Sequence, residues 1–97
     1  MKYKILIVDD HLVVREGLKL ILETNDLFQV IGEADNGKDA LELIDNAKPD
    51  IILLDLNMPV MSGLDTLKIM NKQGITIPVI ILTTYNEDEL MVTGMEL

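Results

Sequence analysis

A chain of 97 residues with 48% hydrophobic content can build one small core but not two, so a single domain is expected. Its formal net charge of −9, from 17 acidic and 8 basic residues, excludes a nucleic-acid-binding role for this segment, because a phosphate backbone is held by clustered Lys and Arg. With no cysteine there is no disulfide framework or thiolate metal site, and no apolar run is long enough to span a membrane. The short Lys2–Val8 stretch runs straight into acids, unlike a secretory signal, so a soluble cytoplasmic protein is expected.

Lys4 to Val8 is predicted as a first strand, a short run of branched residues without polar alternation. His11 to Thr24 then carries Val14, Leu18, Ile21 and Leu22 at helical spacing, a stripe that would face a core. Asn25 and Asp26 break this helix, and Phe28 to Ala34 reads as a second strand, with Gly32 marking a close approach of a neighbouring backbone. Gly37 to Ala47 is the second helix, with Ala40, Leu41, Ile44 and Ala47 facing inward and Pro49 stopping it. Asp50 to Leu54 is the third strand. Ser62 is placed to cap a third helix that carries Leu64 and Leu67, and Gly74 to end it. Pro78 to Thr83 forms a fourth strand, and Asn86 to Leu97 is predicted to begin a further helix, with Glu87, Asp88 and Glu89 in its first turn.

Strand and helix alternate throughout, which the handedness of crossover connections turns into a doubly wound parallel α/β sheet of order 2-1-3-4. On that order Asp9 and Asp10 after the first strand, Asp55 after the third and Thr83 at the end of the fourth gather at one sheet edge, where such folds place their sites. Converging carboxylates repel and drive a pKa upward unless a cation neutralises them. A hard octahedral cation such as Mg²⁺ suits an all-oxygen donor set, with a phosphoryl group as its natural guest. A carboxylate beside that guest can itself attack phosphorus and form an acyl phosphate. Thr83 and Thr84 offer hydroxyls, and alternation along the strand would turn only one of them toward the pocket.

Ile7-Val8-Asp9-Asp10-His11, Leu53-Leu54-Asp55-Leu56-Asn57-Met58-Pro59 and Ile81-Leu82-Thr83-Thr84, at these spacings, resemble the receiver domain of bacterial two-component response regulators, in particular the NarL/FixJ type. The resemblance covers the whole chain and implies a flavodoxin-like fold. It implies Asp55 as the phosphoacceptor, served by a sensor histidine kinase or a small donor such as acetyl phosphate. Asp10 would bind Mg²⁺ directly, Asp9 partly through water and Asn57 through its backbone carbonyl, with Thr83 as the switch hydroxyl. A C-terminal helix-turn-helix output domain would carry DNA binding and control transcription.

Members of that family also have a fifth strand ending in a phosphoryl-contacting lysine, preceded by an aromatic residue. Both would lie after Leu97, and none of Lys38, Lys68 and Lys72 stands at a strand end. The chain is therefore expected to be a receiver fragment lacking the fifth strand and last helix. Its fourth strand would be a bare apolar edge, inviting a homodimer or segment-swapped self-association.

Plainer readings stand beside these. Asp9 and Asp10 could be helix caps, and His11 reads as a first-turn helix residue rather than a zinc ligand. The methionines read as adaptable packing. The competing functions are a phosphotransfer-impaired interaction module and a Mg²⁺-dependent aspartyl phosphatase of the haloacid-dehalogenase kind. That phosphatase family, however, carries Asp-x-Asp on its first strand, where this sequence has adjacent aspartates.

Overall fold

The computed structural model describes residues 2–86 and 89–95, of which 83–86 and 89–95 are described as backbone only. The elements run β1 (Tyr3–Val8), α1 (Leu12–Glu23), β2 (Phe28–Ala34), α2 (Gly37–Ala47), β3 (Ile51–Asp55), α3 (Gly63–Lys72), β4 (Val79–Asn86) and β5 (Glu89–Met95). The sheet order is β2-β1-β3-β4-β5, parallel through β4, with β5 antiparallel to it. The predicted 2-1-3-4 order is therefore present, and β1 and β3 lie side by side with Val8 paired to Leu54.

The strands are aliphatic on both faces because both faces are covered. On one face Leu6, Val8, Ile52, Leu54, Val79 and Ile81 pack with Ala40 and Ile44 of α2 and Leu67 and Met70 of α3. On the other, Ile5, Ile7, Leu53 and Leu82 meet Leu18 and Leu22 of α1. Each such aliphatic side chain contributes roughly 1.5–3 kcal/mol when fully removed from water. The α1 face is the thinner. No residue of α1 is fully buried, and Ile21, expected in its core stripe, is 69% exposed. Leu18 and Leu22 alone reach the second cluster, because among the described residues no other helix flanks α1 on that face.

The helix boundaries follow local chemistry. Asn36 caps α2 by accepting the Asp39 N–H at 2.9 Å, and Ser62 caps α3 by accepting the Asp65 N–H at 3.1 Å. Lys48 takes a left-handed φ of 49° just before Pro49, and Gly74, at φ 72°, follows α3.

Two expectations are corrected. Gly32 does not admit a neighbouring backbone. It sits at a bulge, Ile5 pairing with Val30 and Leu6 with Gly32, and its nearest neighbours are the side chains of Leu6 and Leu43. The second correction concerns the segment predicted as a helix from Asn86. Its described part is the strand β5, which covers the β4 edge that was expected to be bare, Leu82 pairing with Val92 and Ile80 with Gly94. An apolar strand with unpaired backbone groups is a strong template, and Leu90-Met91-Val92-Thr93 suits a pleated partner, whereas an isolated helix this short has little stability of its own. The open β4 edge, the reason for expecting segment exchange, is thus closed from within the chain.

Candidate functional site

β1 ends where the sequence turns from aliphatic to acidic, and the backbone of Asp9 is fastened on both sides. Its N–H donates to the Ala34 carbonyl at 3.0 Å, and its carbonyl accepts from Arg15 Nη1 at 2.6 Å. The Asp9 carboxylate, buried, accepts the His11 N–H at 2.7 Å and lies 2.8 Å from His11 Nδ1. The same ring nitrogen is 3.2 Å from Asp10 Oδ1 and 3.9 Å from Asp55 Oδ2.

Asp55 closes β3 and is also buried, its Oδ1 accepting the Asn57 N–H at 3.1 Å. The chain then returns so that the Gly63 N–H donates to the Leu56 carbonyl at 3.0 Å. A Cβ at Gly63 would run into the Asp55 carbonyl and lie 2.7 Å from Leu56 Cα, so only glycine lets the head of α3 sit against the acid-bearing strand end. Between them Val60 holds φ 68°, a left-handed conformation that a β-branched residue adopts only under strain.

Asp9, Asp10, His11 and Asp55 each offer a ligand atom, and these atoms lie within 4.8 Å of one another. At that separation two carboxylates repel by about 3–4 kcal/mol at an effective dielectric of about 20. The Asp55 carboxyl is accordingly pushed up to about 6, by burial first and then by the charges of Asp9 and Asp10, while the Asn57 N–H opposes the rise. His11 is raised above 6.5, first by its hydrogen bond to Asp9 and then by the charge of Asp10. Both shifts reduce the negative charge of the cluster. A buried carboxyl pushed upward beside two further carboxylates, with one imidazole among them, forms a donor set that fits a hard divalent cation.

The three aspartates predicted to converge are therefore together. Asn57 lies two residues beyond Asp55 and contributes its N–H to that carboxylate. The backbone of Thr83 is in β4, one residue past the Leu82 that pairs with Asp55, and its side chain, like that of Thr84, lies outside the described residues. Two residues of the site escaped the sequence reading. His11 is the N-cap of α1 and turns back into the acids; its position directly after two aspartates was the available signal. Gly63, immediately after a serine cap, could have been read as a close-approach glycine.

A doubly wound sheet with an acidic cluster at the carboxyl ends of β1 and β3 is the architecture of a receiver, and comparison with known proteins agrees. The family model for the response regulator receiver domain matches residues 5–97, and the chain belongs to that family. It is 64% identical over 94 residues to the transcriptional regulatory protein YdfI of Bacillus subtilis, covering 97% of this chain and 44% of that protein. It is 38% identical over 92 residues to the nitrate/nitrite response regulator protein NarL of Escherichia coli, covering 95% and 43%. Among solved structures, the response regulator domain of Thermotoga maritima CheB superposes with a TM-score of 0.81 at 32% identity, covering 91% of this chain and 65% of that one. The chain spans less than half the length of these two curated relatives. Its kinship is with NarL-type response regulators, as the motifs implied.

Proposed function

We propose that the acidic cluster is the phosphoacceptor site of a two-component signalling switch, and that residues 1–97 form the receiver part of a longer response regulator. The observation that carries this reading is the placement of the buried Asp55 carboxylate at a strand end with ligand atoms of Asp9, Asp10 and His11 within 4.8 Å. Asp55 is the nucleophile. Its Oδ1 is engaged by the Asn57 N–H, which leaves Oδ2 to form the new bond to phosphorus. The bond from phosphorus to the donor breaks as this one forms, and its electron pair leaves with the imidazole nitrogen of a sensor kinase's phosphohistidine, or with acetate when acetyl phosphate is the donor.

Asp10 directly, Asp9 partly through water, Asp55 and the Asn57 backbone carbonyl would hold Mg²⁺, which when bound offsets charge on the carboxylates and on the transferring oxygens. Asp9 and Asp10 keep the pocket acidic enough to need that counter-charge. Thr83 bonds a phosphoryl oxygen and shifts the chain beyond it. That shift changes the face offered to an output domain, DNA binding and transcription control residing there and not in this chain. Support for such an output comes from the relatives, which are transcriptional or nitrate/nitrite response regulators. The module is regulatory rather than an enzyme, and its kinase partner and output place it in the cytoplasm; no helix among the described residues is long and apolar enough to cross a membrane.

The test is incubation of the chain with acetyl phosphate, with and without Mg²⁺, read by intact mass. A phosphoryl adduct that requires Mg²⁺ and is lost in Asp55→Asn is expected. No adduct, or an adduct that survives Asp55→Asn, overturns the assignment.

A further inference from the structure

Arg15 is the one cation whose side chain hydrogen-bonds the backbone of the acidic loop among the described residues. Its Nη1 donates to the Asp9 carbonyl at 2.6 Å, and its Nε donates to Glu33 Oε1 at 3.2 Å. The Arg15 side chain is only 16% exposed and that of Glu33 28%, and Lys19 Nζ stands 3.8 Å from the second Glu33 oxygen. The Arg15 N–H also donates to the His11 carbonyl at 3.1 Å. That backbone bond is the ordinary first helical bond of α1 to its N-cap, so the contact by which Arg15 ties the helix to the end of β1 is its side-chain bond to Asp9.

We propose that Arg15, braced by Glu33, is a positioning residue of the cation site. It fixes the Asp9–Asp10 peptide plane through the Asp9 carbonyl, next to the Val8–Asp9 plane that the Ala34 carbonyl holds, and so aims the carboxylates of Asp9 and Asp10 at a shared point. The guanidinium suits the task because its planar fork serves two acceptors in different directions at once, which an ammonium on a flexible stem does not. With its Nε held by Glu33 and its Nη1 by the Asp9 carbonyl, the guanidinium is engaged behind the loop, at backbone and not at the carboxylates of Asp9 and Asp10. Groups that orient ligands in this way typically change metal affinity by about 10–100-fold when removed.

The inference rests on the reading of the cluster as a divalent-cation site, so its test has one arm with the cation and one without. In the first, Mn²⁺ as a probe is titrated into the 97-residue chain and free ion is read by electron paramagnetic resonance. Arg15→Ala should weaken binding by about tenfold or more, with Arg15→Lys and Glu33→Gln intermediate. Ile44→Ala, a core truncation in α2 far from these contacts, should lower the melting temperature while leaving Mn²⁺ affinity of the folded protein unchanged. In the second arm, without cation, amide exchange of His11, whose N–H is bonded to Asp9 Oδ1, should speed up by about tenfold in Arg15→Ala relative to core amides such as Leu54. Equal loss of Mn²⁺ affinity in Ile44→Ala, or His11 exchange that changes only in step with Leu54, overturns the proposal. If the unaltered chain takes no Mn²⁺, the cation reading fails, and the exchange arm still decides whether Arg15 positions the loop.

Discussion

The loop after β1 is fastened by polar side chains, with Asp9 tied to Arg15 and His11 in addition to its backbone bond to Ala34, whereas the loop after β3 is fastened by backbone approach, with Gly63 seated against Asp55 and Leu56. The first presents two acids on a frame with little slack. The second carries Asp55, the proposed phosphoacceptor, and, five residues on, a valine held at φ 68°. A switch needs this division, one side rigid enough to keep a cation site formed and the other able to rearrange when charge is added. Strain at Val60 is an energy the loop can release on moving.

The comparison breaks most severely at Gly63. Gly63→Ala places a Cβ into backbone atoms that cannot move aside as a side chain can, and it should cost about 3 kcal/mol or more in a denaturant melt. Equal stability of this variant and the parent would show that the β3 loop is not held by close approach.

Next is Asp55 itself. Its carboxyl, near 3.8 when unfolded and about 6 in the fold, binds more protons folded than unfolded between those values, so cation-free stability falls as pH rises from about 4 to about 6. His11 works in the same direction at higher pH, since its raised pKa gives stability present below 6.5 and lost as it deprotonates. Asp55→Asn should flatten the lower part of this fall and raise stability at pH 8 by about 1–3 kcal/mol, while Mg²⁺ should stabilise the parent and not the variant. Melting temperatures across pH 4–8 check both points.

Val60→Gly should stabilise the chain by about 1 kcal/mol, since glycine occupies the left-handed region without strain, and should leave His11 amide exchange unchanged. The smallest effect is expected in α1. Gly17 has nothing within 4 Å of a built Cβ, so Gly17→Ala should raise stability by about 0.5–1 kcal/mol through helix propensity alone. The opposite signs of the two glycine-to-alanine changes, read in parallel melts, separate a glycine used for approach from one that is merely tolerated.

Much of this architecture was legible because burial dictates it. Ile5-Leu6-Ile7-Val8 and Ile51-Ile52-Leu53-Leu54 can only be strands covered on both faces, and the acids that end them can only lie at the sheet's carboxyl edge. Ser62 announced its helix through the chemistry of capping, while the Asn36 cap of α2 emerged only with the structure. What stayed hidden depends on partners distant in sequence. Nothing in the pattern of α1 tells that Ile21 would lie on an unflanked side, and Arg15 reads as an ordinary helix-surface cation until Asp9 and Glu33 are brought to it. The segment from Glu89 to Met95 carries periodicity short enough to suit either helix or strand, and the open edge of β4 decides between them.

The claim on which the rest depends is that Asp9, Asp10 and Asp55 act as one electrostatic unit in need of a cation. Its most direct test is the titration of the Asp55 side-chain carboxyl by ¹³C NMR, with and without Mg²⁺. A midpoint about 6 without the cation, moving down when Mg²⁺ is added, is the predicted result. A midpoint near 3.8 that Mg²⁺ does not move would contradict the account.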